Sequence, residues 1–226
     1  VGMIEEMIKK GANDLEKINH YIDALYDKQD PLLEKVLDSI RENDMPFISV
    51  SPSTGKLLTL LVKMTGAKNI LEIGALGGYS GIHLARGMAE NGKLTSLELK
   101  EAYAQLAKRN MEKAGFGEQV TYMTGPALDS LEQLVEKEKR FDFFFIDADK
   151  GNYENYLNYC IELAAPKAVI TMDNVLARGS VADEERETRR YTKQMKALNE
   201  MVARHPKLES VIVPIGDGMT VAIVHP

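Results

Sequence analysis

The hydrophobic pattern of the chain changes near residue 68. Before this point, over about residues 14–41, apolar residues recur every three or four positions, which predicts amphipathic helices, and "SPSTGKLLTLLVKM" predicts a further helix. After it, short β-rich runs alternate with longer helical stretches. The runs cover residues 68–74, 93–99, 119–125, 141–147 and 167–173, and the helical stretches lie near residues 79–90, 100–114, 127–138 and 151–163. This alternation predicts a parallel sheet with helices on both faces.

The last third of the chain has a different pattern. A charged helix is predicted near residues 183–204, and two apolar runs follow that are joined through Gly216-Asp217-Gly218. Apolar runs joined by a glycine-rich turn predict a β-hairpin. A parallel sheet closed by this hairpin implies seven strands and an antiparallel edge strand. We therefore expect one α/β domain over residues 1–226, with residues 1–45 as an N-terminal helical extension.

The composition limits the classes of protein that fit. A chain of 226 residues with 44% hydrophobic residues can bury the core of one domain. Its net charge of −6 provides no basic surface for non-specific nucleic-acid binding. The single cysteine, Cys160, excludes an internal disulfide framework and is typical of a reducing cytoplasm. Because no apolar run approaches the length of a membrane span, we expect a cytoplasmic protein without membrane contact.

Candidate ligand-binding residues stand at the ends of the predicted strands, because ligands of open parallel sheets bind beyond those ends. The stretch "LEIGALGGYSG" places glycines in the first turn, although Leu76 breaks the dinucleotide fingerprint. Glu72 would repel a pyrophosphate and favour a ligand with positive charge. Glu98, after the second run, can accept hydrogen bonds from both ribose hydroxyls. Together these residues favour a nucleoside ligand, and Ala127 leaves room for a flat base. Taken alone, the glycine stretch also fits an ordinary tight turn, and Glu98 also fits a solvated loop acid.

Acidic and amide side chains follow the fourth and fifth runs. Asp147 ends one run, and Asp173 and Asn174 end the next. If these strands are neighbours, the two carboxylates and the amide oxygen form an all-oxygen set that suits Mg²⁺, Mn²⁺ or Ca²⁺ rather than zinc. The alternative is that Asp173-Asn174 caps a turn while Asp147 pairs with Lys150.

These strand ends resemble a known family. The stretches "FFFIDADKGNYENY", "DNVLARGSV" and "VPIGDGMTVA" are together similar to the class I S-adenosylmethionine-dependent methyltransferases, specifically the cation-dependent O-methyltransferase family that includes caffeoyl-CoA and catechol O-methyltransferases. The resemblance extends from about residue 48 to the C-terminus. It implies a Rossmann-like class I methyltransferase fold, S-adenosylmethionine as cofactor, and a divalent cation, with Mg²⁺ in first place and Mn²⁺ or Ca²⁺ as alternatives.

The resemblance also implies roles for individual residues. The implied cofactor contacts are Val50, Glu72, Gly74, Ala75, Ser80, Glu98, Ala127, Asp147 and Asp149, with Glu72 and Ser80 on the methionine side, Glu98 at the ribose and Ala127 beside the adenine. The implied metal ligands are Asp147, Asp173 and Asn174. Lys150 is expected to act with Asp147 at the reaction centre, where it either takes the proton of the acceptor or stabilises the phenolate. Tyr156 and Arg178 are expected to contact the acceptor.

Three functions follow as hypotheses. The leading one is methyl transfer to a hydroxyl of catechol-like aromatic small molecules, such as caffeoyl or flavonoid compounds, by a homodimeric enzyme. The second is methylation of 5-hydroxyuridine in transfer RNA, which draws on the basic residues of "ARGSVADEERETRRYTKQMK". The third is a non-catalytic nucleotide-binding module, which the set of Asp147, Lys150, Asp173 and Asn174 disfavours because a binding module needs no metal beside its ligand.

Overall fold

A computed structural model of the protein describes residues 15–26, 30–183 and 190–225. Several sequence predictions fall partly outside these ranges. Residues 1–14 and 27–29 of the expected N-terminal extension lie outside them, as do residues 184–189 of the predicted charged helix, including Arg186 and Arg189. Within the described ranges, no helix is long and apolar enough to cross a bilayer.

The predicted alternation of strands and helices is confirmed. The strands are β1 (Asn69–Ile73), β2 (Lys93–Glu98), β3 (Val120–Thr124), β4 (Phe141–Ile146), β5 (Ala164–Asp173), β6 (Leu208–Val213) and β7 (Met219–Val224). Residues 15–26 are helical (α1), and the later helices are α2 (Pro31–Glu42), α3 (Pro52–Thr65), α4 (Tyr79–Gly87), α5 (Glu101–Lys113), α6 (Ala127–Glu136), α7 (Tyr153–Glu162) and α8 (Thr192–Ala203). Short 3₁₀ turns cover Gly117–Gln119, Lys150–Asn152 and Ala177–Gly179.

The seven strands form one sheet in the order β3-β2-β1-β4-β5-β7-β6. Strands β1 to β5 pair in parallel, while β7 is antiparallel to both β5 and β6. The predicted C-terminal hairpin at the edge of a mostly parallel sheet is therefore confirmed, with the antiparallel strand β7 inside the sheet and β6 at the edge. The burial patterns give the reason: β7 is buried at four of its six positions, whereas β6 is buried only at Leu208.

Helix α8 is shorter than the predicted helix of residues 183–204. Asp183 is not helical, residues 190 and 191 form a turn, and the helix begins at Thr192. Its core residues Met195, Leu198 and Val202 have helical spacing and pack into the core. Such packing of an apolar face is the main source of helix stability in proteins, which accounts for the helical part from Thr192 onwards.

Both faces of the sheet are covered. Along β4, Phe143 and Phe145 point into a core built with helices α2 to α5, and Phe144 points into the opposite core with helices α6 to α8. All three rings are fully buried. Burial on both faces explains the continuous apolar run in the sequence, which is typical of central parallel strands.

Candidate active site

A cavity of about 720 Å³ opens at the carboxyl ends of the parallel strands, within the usual size range of ligand sites. Most of the predicted site residues line it. These are Val50, Gly74, Ala75, Ser80, Glu98, Ala127, Asp147, Asp149, Lys150, Tyr156 and Asn174. Three predicted site residues are not in its lining, namely Glu72, Asp173 and Arg178. The sequence thus predicted the position of the cavity. The polar groups of the cavity fall into two sets, one at the glycine turn after β1 and one at the ends of β4 and β5.

The glycine turn after β1 brings two strand ends unusually close together. Gly74 has φ of 100°, and a Cβ atom there would lie 2.1 Å from the backbone oxygen of Asp147. The Asp147 N–H in turn donates to the oxygen of Ile73 at 2.9 Å. Gly74 therefore allows the ends of β1 and β4 to approach each other, because a side chain at position 74 would require this positive φ and would collide with the Asp147 backbone oxygen.

Glu98 organises the same turn. One carboxylate oxygen, Oε2, accepts the backbone N–H groups of Ala75 at 3.2 Å and Leu76 at 2.9 Å. The other, Oε1, accepts the N–H of Lys100 at 3.0 Å. The residue is 8% exposed and lines the cavity. Sequence reasoning missed this structural role, since no local pattern connects Glu98 with a turn more than twenty residues earlier.

Glu72 lies beneath the cavity rather than in its wall. Its side chain is fully buried, and it accepts hydrogen bonds from the hydroxyls of Ser80 and Ser96, each at 2.6 Å. Burial raises the pKa of Glu72 to about 7, and the two hydroxyl donors oppose that shift. Ser80 lines the cavity, so Glu72 affects the cavity indirectly, by orienting the Ser80 hydroxyl. The sequence signal that could have revealed the buried Glu72 was Ser96, because a polar residue inside an apolar run needs a buried hydrogen-bond partner.

The proposed metal ligands stand on neighbouring strands, as the sequence required. Strand β4 pairs with β5, with Ile146 opposite Met172, so Asp147 and Asp173 follow adjacent positions at the same edge. Asp173 is 4% exposed, and its Oδ1 accepts the backbone N–H of Asn174 at 2.8 Å. Asn174 has φ of 61° and lines the cavity.

Lys150 is held at this edge by two partners. Its Nζ donates to Asp147 Oδ1 at 2.9 Å and to the Tyr153 hydroxyl at 2.6 Å. The Tyr153 hydroxyl can donate to the backbone oxygen of Asp173 at 3.0 Å or of Ile146 at 3.3 Å. Tyr153 therefore ties Lys150 to the ends of β4 and β5. Sequence reasoning missed Tyr153, although its spacing of three residues from Lys150 was visible.

The charges at this edge fit a divalent cation. Burial raises the pKa of Asp173, and the neighbouring charge of Asp147 raises it further. Lys150 supplies one positive charge for these carboxylates, and buried charges without compensation are costly. A hard cation would provide the missing charge, and carboxylate and amide oxygens are its preferred ligands. Among the residues described, no group of three Asp, Glu, His or Cys side chains could hold a metal ion, so a cation at this edge would need the amide of Asn174 as well as the two carboxylates.

Asp149 and Tyr156 form a hydrogen-bonded pair in the cavity wall. The Tyr156 hydroxyl donates to Asp149 Oδ1, and the Asn152 amide donates to Asp149 Oδ2 at 2.6 Å. Burial and the Asp149 carboxylate both raise the pKa of Tyr156. Tyr156 was predicted to contact the acceptor, which stays a prediction; the structure places it in the cavity lining and shows that its hydroxyl also orients Asp149.

The basic residues suggested for RNA binding that the structure describes are not part of the cavity lining. None of Arg178, Arg190, Lys193 and Lys196 lines the cavity. Arg178 has φ of 55°, and its backbone N–H donates to Asp217 Oδ1 at 2.6 Å. The guanidinium of Arg190 lies over the ring of Tyr191, 5.1 Å from its centroid.

Comparison with known proteins agrees with this geometry. A family model described as O-methyltransferase matches residues 24–224. The chain is 40% identical to a catechol O-methyltransferase of Niastella koreensis, over 92% of this chain and 97% of that protein. It is 31% identical to a caffeoyl-CoA O-methyltransferase of Eucalyptus gunnii, over 97% and 92% of the two chains. It is also similar to the crystal structure of the O-methyltransferase from Bacillus cereus in complex with SAH, with a TM-score of 0.83, 38% identity, and coverage of 92% and 97%.

Proposed function

The chain belongs to the O-methyltransferase family of S-adenosylmethionine-dependent enzymes, and we propose that it methylates one hydroxyl of a vicinal dihydroxy aromatic small molecule with the help of a divalent cation. The observation that carries this proposal is the group of oxygen-bearing residues at the ends of β4 and β5, of which Asp147 and Asn174 line the cavity beside Lys150 and Asp173 lies buried next to them. A pair of neighbouring hydroxyls is the acceptor that can chelate a cation held by such a set.

The glycine-turn side of the cavity suits S-adenosylmethionine. Glu98 lines it with a carboxylate that can accept a ribose hydroxyl beside its backbone donors, since an ionised carboxylate has about four acceptor sites. Apolar residues, among them Leu99 and Ala127, offer a surface for the flat adenine. Ser80, oriented by Glu72, is available to the methionine end.

Methyl transfer from a sulfonium to an oxygen needs a deprotonated acceptor and close alignment. Alignment alone can contribute about 7–11 kcal/mol to the barrier reduction. Asp147, Asp173 and Asn174 would hold the cation, which lowers the pKa of a hydroxyl bound to it. Lys150 is directed towards the same place by Asp147 and Tyr153, where its ammonium group can stabilise the phenolate, or its neutral amine, after loss of a proton to solvent, can receive the acceptor proton.

The experiment that tests this proposal measures transfer of label from S-adenosylmethionine with and without EDTA. The acceptors are caffeic acid, a catechol flavonoid, a resorcinol whose hydroxyls are not adjacent, and transfer RNA that lacks the modification. We expect labelling of the two vicinal diols only, its loss in EDTA, and its recovery on addition of Mg²⁺. Full activity after exhaustive chelation would refute metal dependence, and labelling of RNA alone would establish the RNA alternative.

A pair of variants makes the metal test specific. Asp173→Asn removes one carboxylate from the proposed site and should abolish the dependence on added Mg²⁺ together with most of the activity. Asp142→Asn is the matched control at the opposite end of β4, where Asp142 accepts the backbone N–H groups of Lys68 and Asn69. The control should keep the wild-type Mg²⁺ dependence; equal losses in both variants would indicate general destabilisation instead.

A further inference from the structure

The loop that follows β5, residues 174–179, has an unusual backbone. Asn174, Ala177 and Arg178 have φ of 61°, 47° and 55°, and Gly179 has φ of 82°. Non-glycine residues rarely adopt positive φ, and such conformations persist only where the surrounding structure holds them. The loop begins with Asn174, so whatever holds the loop also fixes the position of a cavity-lining residue.

The C-terminal turn, residues 216–218, holds this loop. The N–H of Val175 donates to the oxygen of Gly218 at 3.1 Å, and the N–H of Leu176 donates to the backbone oxygen of Asp217 at 3.0 Å. The third contact uses a side chain, because the N–H of Arg178 donates to Asp217 Oδ1 at 2.6 Å. Asp217 thus accepts from the loop with both its backbone and its carboxylate.

The turn is itself anchored to helix α1. The Asn19 amide donates to the oxygen of Gly216 at 3.2 Å, and its Oδ1 accepts the N–H of the same residue at 3.2 Å. Asn19 is 8% exposed. On the next turn of α1, Asp23 Oδ1 accepts the N–H of Ser53 at 3.1 Å, which fixes the helix to the start of α3.

We propose that Asp217 and Asn19 are positioning residues for Asn174, acting through the C-terminal turn and the loop after β5. Asp217 holds the loop directly, and Asn19 holds the turn without contact to the loop. This inference rests on the proposed function insofar as Asn174 is a metal ligand. It assigns to the N-terminal helix a part in shaping a site formed by the far end of the chain.

Asp217 could also act through its charge, since it lies near enough to Asp173 to raise the pKa of that carboxyl. The two effects predict different variants to be harmful. Asp217→Asn keeps an oxygen acceptor for the Arg178 N–H but removes the charge, whereas Asp217→Ala removes both. If Asp217 acts by positioning, Asp217→Ala should weaken Mn²⁺ binding strongly and Asp217→Asn only slightly. If it acts by charge, both variants should change Mn²⁺ binding equally.

The test uses the full chain, freed of metal, with three measurements on each variant. Mn²⁺ affinity is measured by titration calorimetry, SAH affinity by the same method, and hydrogen exchange is followed on peptides that cover residues 174–179. We expect Asp217→Ala to weaken Mn²⁺ binding by about tenfold to a hundredfold, the range for residues that orient metal ligands, and Asn19→Ala by about fivefold. Both alanine variants should speed hydrogen exchange in residues 174–179, while their SAH affinity stays within about twofold of wild type. The Mn²⁺ affinity of Asp217→Asn should stay within about threefold of wild type.

Asp30→Ala is the control for general destabilisation. It removes the cap of α2, where Asp30 Oδ1 accepts the N–H groups of Leu32 and Leu33, and the ion pair with Arg86. It should lower Tm without changing Mn²⁺ affinity or exchange in the loop.

The outcomes separate this inference from the function on which it rests. Wild-type protein that binds no Mn²⁺ would overturn the proposed metal site. Wild-type protein that binds Mn²⁺, with Asn19→Ala and Asp217→Ala equal to it in affinity and exchange, would overturn the positioning role. Asp217→Asn as weak as Asp217→Ala would show that charge, not position, is what Asp217 supplies. If Asp217→Ala does not fold, Asn19→Ala and Asp217→Asn decide between these results.

Discussion

Replacing Tyr153 with phenylalanine isolates the hydroxyl that ties Lys150 to the ends of β4 and β5. The ring is 1% exposed, so phenylalanine fills the same space, and the contact of Lys150 with the ring face, 4.6 Å from Nζ to the centroid, can persist. What disappears is the acceptor for Lys150 and the donor to the backbone oxygen of Asp173.

The magnitude follows from these two hydrogen bonds. Lys150 keeps Asp147 as a partner, so we expect a loss of about 1–3 kcal/mol in the free energy of unfolding, mainly from the charged hydrogen bond and the carbonyl left without its donor. Each kcal/mol lowers Tm by about 2–4 °C in a chain of this size. If Lys150 is positioned by this contact, kcat should fall about tenfold for each 1.4 kcal/mol of lost transition-state stabilisation.

The assay combines a thermal scan with steady-state rates at saturating S-adenosylmethionine and Mg²⁺. Tyr159→Phe, the same change later on helix α7, is the matched control and should leave kcat unchanged. Wild-type Tm and kcat in Tyr153→Phe would refute the reasoning. A lower Tm with unchanged kcat would limit Tyr153 to a structural role.

Three further predictions address the other parts of the cavity. Lys150→Ala should lower kcat by about 10²–10⁴-fold with unchanged SAH affinity by calorimetry, and a wild-type kcat would remove Lys150 from the mechanism. Glu98→Ala should weaken SAH binding by about tenfold or more, and more than Glu98→Gln, because alanine releases the N–H groups of the glycine turn; equal losses would assign the effect to charge alone. Gly74→Ala should lower stability by about 1–3 kcal/mol or more, since its Cβ would meet the Asp147 backbone oxygen, and an unchanged Tm would contradict the contact.

The parts of the site that the sequence predicted share one property: they stand at the ends of strands. Asp147 and Asp173 were placed together because consecutive parallel strands tend to be neighbours, and β4 and β5 are. The same rule located the glycine turn and Glu98 at one edge. The rule does not give the order of the two hairpin strands, and the structure places β7 between β5 and β6.

The parts that sequence reasoning missed depend on contacts between distant segments. No local pattern relates Glu98 to its two donors in the glycine turn, Ala75 and Leu76. The same holds for the contact of Glu72 with Ser80 and for the link from Asn19 to Gly216. Strand periodicity shows which side of the sheet a residue faces, but not whether its side chain reaches the cavity or another element. Glu72 illustrates this limit, because a carboxylate two residues before the turn fits either role.

The two sides of the cavity meet at the backbone of Asp147. Its N–H is bonded to Ile73 at the end of β1, its backbone oxygen adjoins Gly74, and its side chain holds Lys150. A shift of the glycine turn therefore moves the peptide that carries the Lys150 partner, because close-packed contacts transmit displacement instead of absorbing it. The glycine turn and the Lys150 side of the cavity are for this reason joined through one peptide, and under the proposed function the close approach at Gly74 would set the position of the cofactor relative to the acceptor.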